Sequence, residues 1–346
     1  MPAPHRRIIR RLAGGMALLA GTGLLPACAS PNPQSTLSPE GSHAAIIFDL
    51  YIPIFWAAVL VFVVVEAVLL YSVWRYRQRP GQEGELPAQV HGNTRLEIAW
   101  TVAPAIVVAI IAIMTFRTQA ILASFPTDAL NVRVIGHQWW WEFQYPDLGI
   151  TTANELHVPV GRPVKLTLES ADVIHSFWIP RLAGKTDTIP GLTNQLWFRA
   201  DRPGIYRGQC AEFCGMQHAL MGLRVIVNTQ SDFDAWVRAQ RQPATIPTTG
   251  AAARGAQLFL DRSDTAPKCW SCHTIAGTDA QGKVGPDLTH VGSRTTIVAG
   301  LLENTPENLA KWIHNPQAIK KGALMPNLGL SEQQAADLAA FLSSLR

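Results

Sequence analysis

At 346 residues the chain is too long for one ordinary small domain, and two or three units are expected. Charged residues make up only 16% of it and hydrophobic residues 48%, a balance that points to membrane segments beside a soluble part. The formal charge of +4 carries no dense basic footprint, which argues against a nucleic-acid partner.

The N-terminus reads as an export signal. Arg6, Arg7, Arg10 and Arg11 precede the apolar run LAGGMALLAGTGLL, which is too short to span a bilayer. The stretch closes on LLPAC and resembles a bacterial lipoprotein signal. Residues 1–27 would then be removed and Cys28 would become the lipidated first residue; simple cleavage nearby is the alternative. An N-terminal tail and membrane hairpin are expected over 28–122. Leu50 to Trp74 is apolar apart from Glu66, and Ile98 to Phe116 has no charge at all. About 20 apolar residues cross the hydrocarbon core, so helices at about 50–74 and 98–116 are predicted to span a membrane.

Basic residues orient this pair. Arg75, Arg77, Arg79 and Arg95 lie between the two stretches, whereas the tail from Cys28 to Leu50 has no Lys or Arg. The connecting loop is therefore expected in the cytoplasm, with both ends of the mature chain outside. Glu66, near the cytoplasmic end, is a functional candidate by default as an ionisable group in a membrane segment. Snorkelling or pairing with a partner subunit is the plainer reading.

Beyond the hairpin the pattern changes. NVRVIG, PVKLTLES, NQLWFRA and LRVIVNT alternate apolar and polar residues, with turns such as PDLG, PVGRP and DRPG between them. Residues 123–240 are thus expected to form an antiparallel sandwich or barrel. Residues 241–250, within RQPATIPTTGAAA, read as a linker. Residues 251–346 read as helical: Thr305 and Pro306 open one helix that Pro316 stops. Ser331 and Gln334 have capping-box spacing at the start of another.

This last unit contains Cys269, Cys272 and His273 as CWSCH, the attachment signature of a c-type haem. Structural zinc and a redox dithiol are the alternatives, but the unit has no other cysteine to complete a zinc site. Met325, the only methionine after Met221, is the expected second axial ligand of the iron. His290 and His314 compete for that place and are read as surface histidines. The order of helix, CxxCH, GPDL, Trp-bearing helix, MP and final helix resembles class I cytochrome c.

The densest chemistry lies in CAEFCGMQHALM. Cys210 and Cys214 stand four apart, with His218 and Met221 behind them, and HSFWIP supplies His175 upstream. A mononuclear blue-copper site uses two histidines, one cysteine and a weak axial methionine. A second sulfur lets two thiolates bridge two coppers, each with its own imidazole. Met221 and the backbone carbonyl of Glu212 would complete the pair. A Cys210–Cys214 disulfide or a tetrahedral zinc site are the competing readings.

CAEFCGMQHALM, HSFWIP, GKTDTIPG, GHQWWW and LEIAWTVAPA together resemble cytochrome c oxidase subunit II over about residues 45–230. The fused haem unit resembles the bacterial subtype whose subunit II carries its own cytochrome c. The resemblance implies a multidomain membrane protein with a two-helix hairpin, a cupredoxin-like sandwich and a class I cytochrome c domain. It implies that His175, Cys210, Cys214, His218, Met221 and the Glu212 carbonyl hold a binuclear copper centre, CuA. The Glu212 carboxylate would also face a magnesium or manganese ion at the boundary with the catalytic subunit. Trp139 would receive electrons from cytochrome c, whereas Trp140 and Trp141 read as packing. Glu97 would lie at a proton-uptake path. The implied setting is a bacterial inner membrane, beside the haem-copper subunit I and other oxidase subunits. The donor would be cytochrome c or an upstream quinol-oxidising complex.

Neither membrane stretch contains a histidine cluster, so dioxygen reduction is expected in another polypeptide. Two rivals remain: the copper subunit of a nitric oxide reductase, and a membrane-anchored electron carrier without a fixed partner. A copper-free quinol-oxidase subunit is disfavoured because every copper ligand is present.

Overall fold

The computed structural model describes residues 32–79, 81, 84, 89 and 91–346. Cys28 and the signal expected over 1–27 lie outside the described residues. Helices α1 (Ser42–Tyr76) and α2 (Thr94–Leu122) form the hairpin. Their apolar stretches are wholly uncovered by the rest of the chain, as lipid-facing helices require. Both run past the apolar spans read from sequence. Asn93 caps α2 by accepting the Leu96 N–H at 3.3 Å, so its first turn forms outside the apolar stretch.

The extra N-terminal turns of α1 are seated in the next domain. The Ser42 N–H donates to the Arg199 carbonyl at 2.9 Å, and the Ala44 N–H to that of Leu182 at 3.1 Å. His43 meets Trp197 edge-on at 5.9 Å, while the Trp197 indole donates to the Leu122 carbonyl at the end of α2 at 2.9 Å. Both helices are therefore anchored in the same domain.

That domain is a sandwich of two five-stranded sheets. One runs β3 (Ile150–Ala153), β2 (Trp140–Tyr145), β1 (Leu130–His137), β5 (Val164–Ser170), β8 (Asn194–Phe198). The other runs β4 (Glu155–Pro159), β10 (Gly222–Asn228), β9 (Gly204–Cys210), β6 (His175–Trp178), β7 (Thr186–Thr188). Strict alternation buries Val132, Val134, Leu166, Leu168, Val225 and Val227 between the sheets, where they meet Trp141, Phe143 and Phe177. The sheets are mixed rather than antiparallel throughout: β1 pairs β5, and β4 pairs β10, in parallel. Period-2 patterning sets which face is buried but is silent on strand direction. Helix α3 (Gln230–Gln240) closes the sandwich, capped by Thr229 and buried through Phe233 and Val237.

The C-terminal unit is helical around a small hairpin. Helix α4 (Gly250–Leu260) crosses the last helix, α7 (Glu332–Ser344). The crossing is so close that a Cβ on Gly255 would stand 2.0 Å from the Asp337 carbonyl oxygen, which only glycine permits. Arg254 grips the Asp337 carboxylate in two hydrogen bonds, at 2.7 and 2.9 Å, across the same junction. Between them lie β11 (Thr296–Ile297), β12 (Leu302–Glu303), α5 (Pro306–His314) and α6 (Pro316–Ile319). Thr305 caps α5 as its sequence suggests, and Ser331 with Gln334 forms the capping box of α7. The Pro/Thr-rich stretch joining the two units is laid along the second one. Ala244 and Ile246 pack on its core, and the Ala244 N–H donates to the Ala276 carbonyl.

Candidate metal centre

Sheet pairing brings the distant ligands together. β6 lies beside β9, with Phe177 opposite Cys210, so His175 at the head of β6 reaches the end of β9. The chain leaves β9 at Cys210, turns through Cys214 and a short helical turn at His218–Leu220, and returns as β10 after Met221. The Cys210 N–H donates to the Met221 carbonyl at 2.9 Å and closes the base of this loop.

Within the loop the soft donors converge. The Sγ atoms of Cys210 and Cys214 are 3.7 Å apart, and no disulfide joins them in this structure. Cys214 Sγ is 3.7 Å from His218 Nδ1 and 3.8 Å from Met221 Sδ, and the Glu212 carbonyl lies 3.2 Å from Cys210 Sγ. The metal-binding atoms of His175, Cys210 and Cys214 all lie within 4.8 Å of one another, and these three residues are buried. Hydrogen bonding between the two sulfurs pulls the Cys210 thiol far below the usual range and pushes Cys214 well above it, so the pair favours a single thiolate, on Cys210.

One further residue, missed in the sequence, orients the site. Asp172 accepts a hydrogen bond from His175 Nε2 at 2.8 Å and from the backbone N–H groups of Gln138 and Val173, each at 2.6 Å. Burial pulls the His175 imidazolium down, but Asp172 and Cys210 outweigh it and the net shift is upward. With Nε2 occupied, the fully buried Nδ1 has no hydrogen-bond partner among the described residues. An orphaned ring nitrogen beside two thiols fits a metal ligand. Gly136 makes room for this ring, since a Cβ there would lie 2.7 Å from His175 Cδ2. We expect Asp172→Asn to weaken copper binding about 10- to 100-fold, as loss of an outer carboxylate does; unchanged affinity on copper titration would show that the His175 ring is set by packing alone.

The tryptophans separate by role. Trp141 is in the core, and Trp140 stacks on His137 at 4.1 Å. Trp139 donates its indole N–H to the Cys214 carbonyl at 3.0 Å, joined there by Gln138 Nε2 at 2.8 Å. It is only 8% exposed, packed in the sandwich core cluster and lining a cavity shared with the C-terminal unit.

The CWSCH cysteines sit on a short helical turn, Cys269–Ser271. They line a cleft of about 740 Å³ with His273, Met325, Phe259, Leu288 and Leu342. His273 Nδ1 donates to the Pro286 carbonyl at 2.8 Å, which fixes the tautomer and leaves Nε2 free for a metal. A Cβ on Gly285 would stand 2.4 Å from His273 Cε1, so glycine is required beside the ring. Two free thiols, an oriented imidazole and a methionine facing one apolar slot fit a covalent haem. His314 is exposed, and His290 is not the surface residue expected: it is buried at the boundary with the sandwich, its Nε2 3.1 Å from the Gln240 carbonyl. Neither lines the cleft.

Three family profiles cover the chain in order. Residues 32–118 match the transmembrane domain of cytochrome c oxidase subunit II, 148–229 its periplasmic domain, and 252–346 cytochrome c. Cytochrome c oxidase subunit 2 of Alkalihalophilus pseudofirmus is 40% identical over 332 residues, 94% of each chain. This chain is a cytochrome c oxidase subunit II with a fused cytochrome c domain. The same subunit of Bacillus sp. strain PS3 is 37% identical over 97% of this chain and 96% of its own. The periplasmic domain of subunit II of cytochrome oxidase from Bradyrhizobium japonicum is 33% identical, covering 34% of this chain and 97% of that one, with a TM-score of 0.33.

Membership settles the coarse assignments. The chain is a subunit of a haem-copper oxidoreductase, built as a two-helix membrane anchor, a cupredoxin-like sandwich and a helical cytochrome c domain. The subunit II family implies a copper centre in the sandwich, and the cytochrome c family implies haem in the cleft. Association with subunit I and other oxidase components follows from the same membership.

Proposed function

We propose that this chain is the electron-accepting subunit of its oxidase. Cys269, Cys272, His273 and Met325 would hold a covalent haem, which when bound would supply one-electron chemistry toward an external donor. His175, Cys210, Cys214, His218, Met221 and the Glu212 carbonyl would hold a binuclear copper centre, which would relay those electrons to the catalytic subunit for reduction of dioxygen to water. The observation that carries this reading is the convergence of two thiols, an imidazole and a thioether of one loop with the His175 imidazole of β6, without a disulfide.

The metals supply the one-electron chemistry when bound; the chain supplies placement. The base of the β9–β10 loop, closed by the Cys210 N–H to the Met221 carbonyl, holds the two sulfurs at one short separation of 3.7 Å. Asp172 and Pro286 fix the tautomers of His175 and His273. Met221 is buried beside the two thiols, at 1% exposure. Trp139 is proposed to carry electrons into the copper loop through the Cys214 carbonyl.

Further assignments complete the proposal. The Glu212 side chain is exposed, so its carboxylate is free to face a magnesium or manganese ion shared with subunit I. Glu97, in the first turn of α2, is proposed to lie at a proton-uptake path, which requires the α1–α2 loop on the cytoplasmic side and both termini outside. Cys28 is proposed to carry a lipid. The domain limits are taken as 28–122, 123–240 and 251–346.

The test is electron paramagnetic resonance of the purified full chain loaded with copper and haem. A multi-line signal from one electron shared equally by two coppers is the expected result. A single-copper spectrum, or a loop that retains zinc instead, would sink the reading.

A further inference from the structure

The cytochrome domain is held to the sandwich by buried charged side chains that cross the boundary in opposite directions. Lys320, 4% exposed, follows α6 and precedes the Met325 loop. Its Nζ donates to the carbonyls of Trp139 and Leu220, each at 2.9 Å. Trp139 is the residue whose indole meets the Cys214 carbonyl, and Leu220 precedes Met221. Beside it, Gln217 Nε2 donates to the Lys321 carbonyl, and a Cβ on Gly322 would stand 2.4 Å from Met216 Sδ.

Glu155 reaches the other way. It is 1% exposed on β4, and its carboxylate accepts the N–H groups of Thr295 and Thr296 at 2.8 to 3.1 Å, together with both threonine hydroxyls. Arg224 adds a hydrogen bond to the Gly300 carbonyl at 2.9 Å.

We propose that Lys320 and Glu155 form a latch that holds the cytochrome domain in one register over the copper face, so that the chain's own haem is the sole donor able to reach Trp139. This rests on the electron-accepting reading above. Burying an ionised side chain is costly unless hydrogen bonds replace its water. Here those hydrogen bonds exist only when the two domains meet in this one arrangement. A casual contact between tethered domains is polar, hydrated and tolerant of sliding. This one penalises every other register with an unpaired buried charge, which is how an interface gains specificity.

The cover has a functional consequence. Cys272, His273 and Met325 line a second cavity, of about 200 Å³, whose opposite wall is Gln138, Trp139 and Trp140 of the sandwich. The slot for the haem thus opens on Trp139, the face a separate donor protein would need. One electron leaves ferrous haem, which becomes ferric, and reduces the copper pair by one. A soluble donor is restricted to the far side of the cytochrome domain. Lys320 and Glu155 are positioning residues in this scheme.

The experiment uses the full chain in its assembled membrane complex, with Lys320→Met, Lys320→Arg and Glu155→Gln as variants. Oxidised complex is mixed with reduced soluble cytochrome c, and the haem and copper absorbances are followed separately. In the unaltered chain copper should be reduced only after the tethered haem. In Lys320→Met and Glu155→Gln the haem-to-copper step should slow, because electron transfer falls off with each added ångström between the two centres. Direct reduction of copper by the soluble protein should appear, with haem and copper spectra unchanged, and Lys320→Arg should restore much of the original order. Haem-first reduction at an unchanged rate in these variants would overturn the latch and leave the electron-accepting reading intact. Copper reduced ahead of haem in the unaltered chain would overturn that reading and the sole-donor claim together. Hydrogen exchange on the unaltered chain gives an answer even if the variants fail to assemble. The Thr295 and Thr296 amides should exchange as slowly as those of the sandwich core, and rapid exchange would overturn the latch.

Discussion

Cys214→Ser is expected to abolish the copper pair while leaving the haem spectrum unchanged. Its sulfur stands at the centre of the donor set, within 3.7 to 3.8 Å of Cys210, His218 and Met221. A serine hydroxyl is a harder donor and stays protonated, so it cannot replace a bridging thiolate. Losing an outer-shell partner alone costs about 10- to 100-fold in metal affinity, so removing this ligand should cost more than ~100-fold. The backbone need not move, because the contacts of Trp139 and Gln138 are to the Cys214 carbonyl. Paramagnetic resonance and copper content measure the outcome. A variant that keeps an evenly shared two-copper signal would remove Cys214 from the ligand set.

The second large effect concerns stability. Trp141 has no exposed surface and meets His175 at 5.9 Å and Phe177 at 5.2 Å, both edge-on. Truncating a buried tryptophan costs about 3–5 kcal/mol. Trp141→Ala should therefore lower the Tm of the sandwich by more than about 10 °C, and weaken copper binding by freeing the His175 ring. Trp141→Phe should be far milder. The indole N–H is buried without a partner among the described residues, so phenylalanine gives up volume but removes an unsatisfied donor. Calorimetry of both variants is the check, and equal losses would mean that volume has no part in the effect.

Much of this was legible in the sequence, for reasons that differ by element. Alternation located β1, β5 and β10 because each buries one face, whereas β8 was located although Leu196, Trp197 and Phe198 are all buried; caps located α5 and α7 because capping is local chemistry. β6 escaped because its first three residues are all buried, which erases the alternation. Helix α3 escaped too, although Thr229 before QSDF is a capping signal. That Cys210, Cys214, His218 and Met221 share one loop as soft donors was readable from their spacing. His175 entered only as an upstream histidine, because the β6–β9 pairing that delivers it is long-range. Asp172 could have been found, since it stands three residues before His175 in a turn. Lys320 and Glu155 left no local trace: nothing in PQAIKKG or NELHVP tells that either charge is buried against another domain.

The depth to which α1 enters the sandwich bears on the geometry of the whole complex. Its 35 residues span about 52 Å at 1.5 Å each, against a hydrocarbon core of about 30 Å. Because the same continuous helix is rooted in lipid at one end and in the Arg199 and Leu182 carbonyls at the other, it acts as a post. The height of the sandwich above the bilayer is then a fixed number of helical residues, and so is its compass bearing. One residue more or less in the post is about 1.5 Å of height and about 100° of turn, a change that α2, rooted in the same domain, would resist. Where a soluble carrier must search for its acceptor by diffusion, this chain has its separation from the membrane written into the length of a helix.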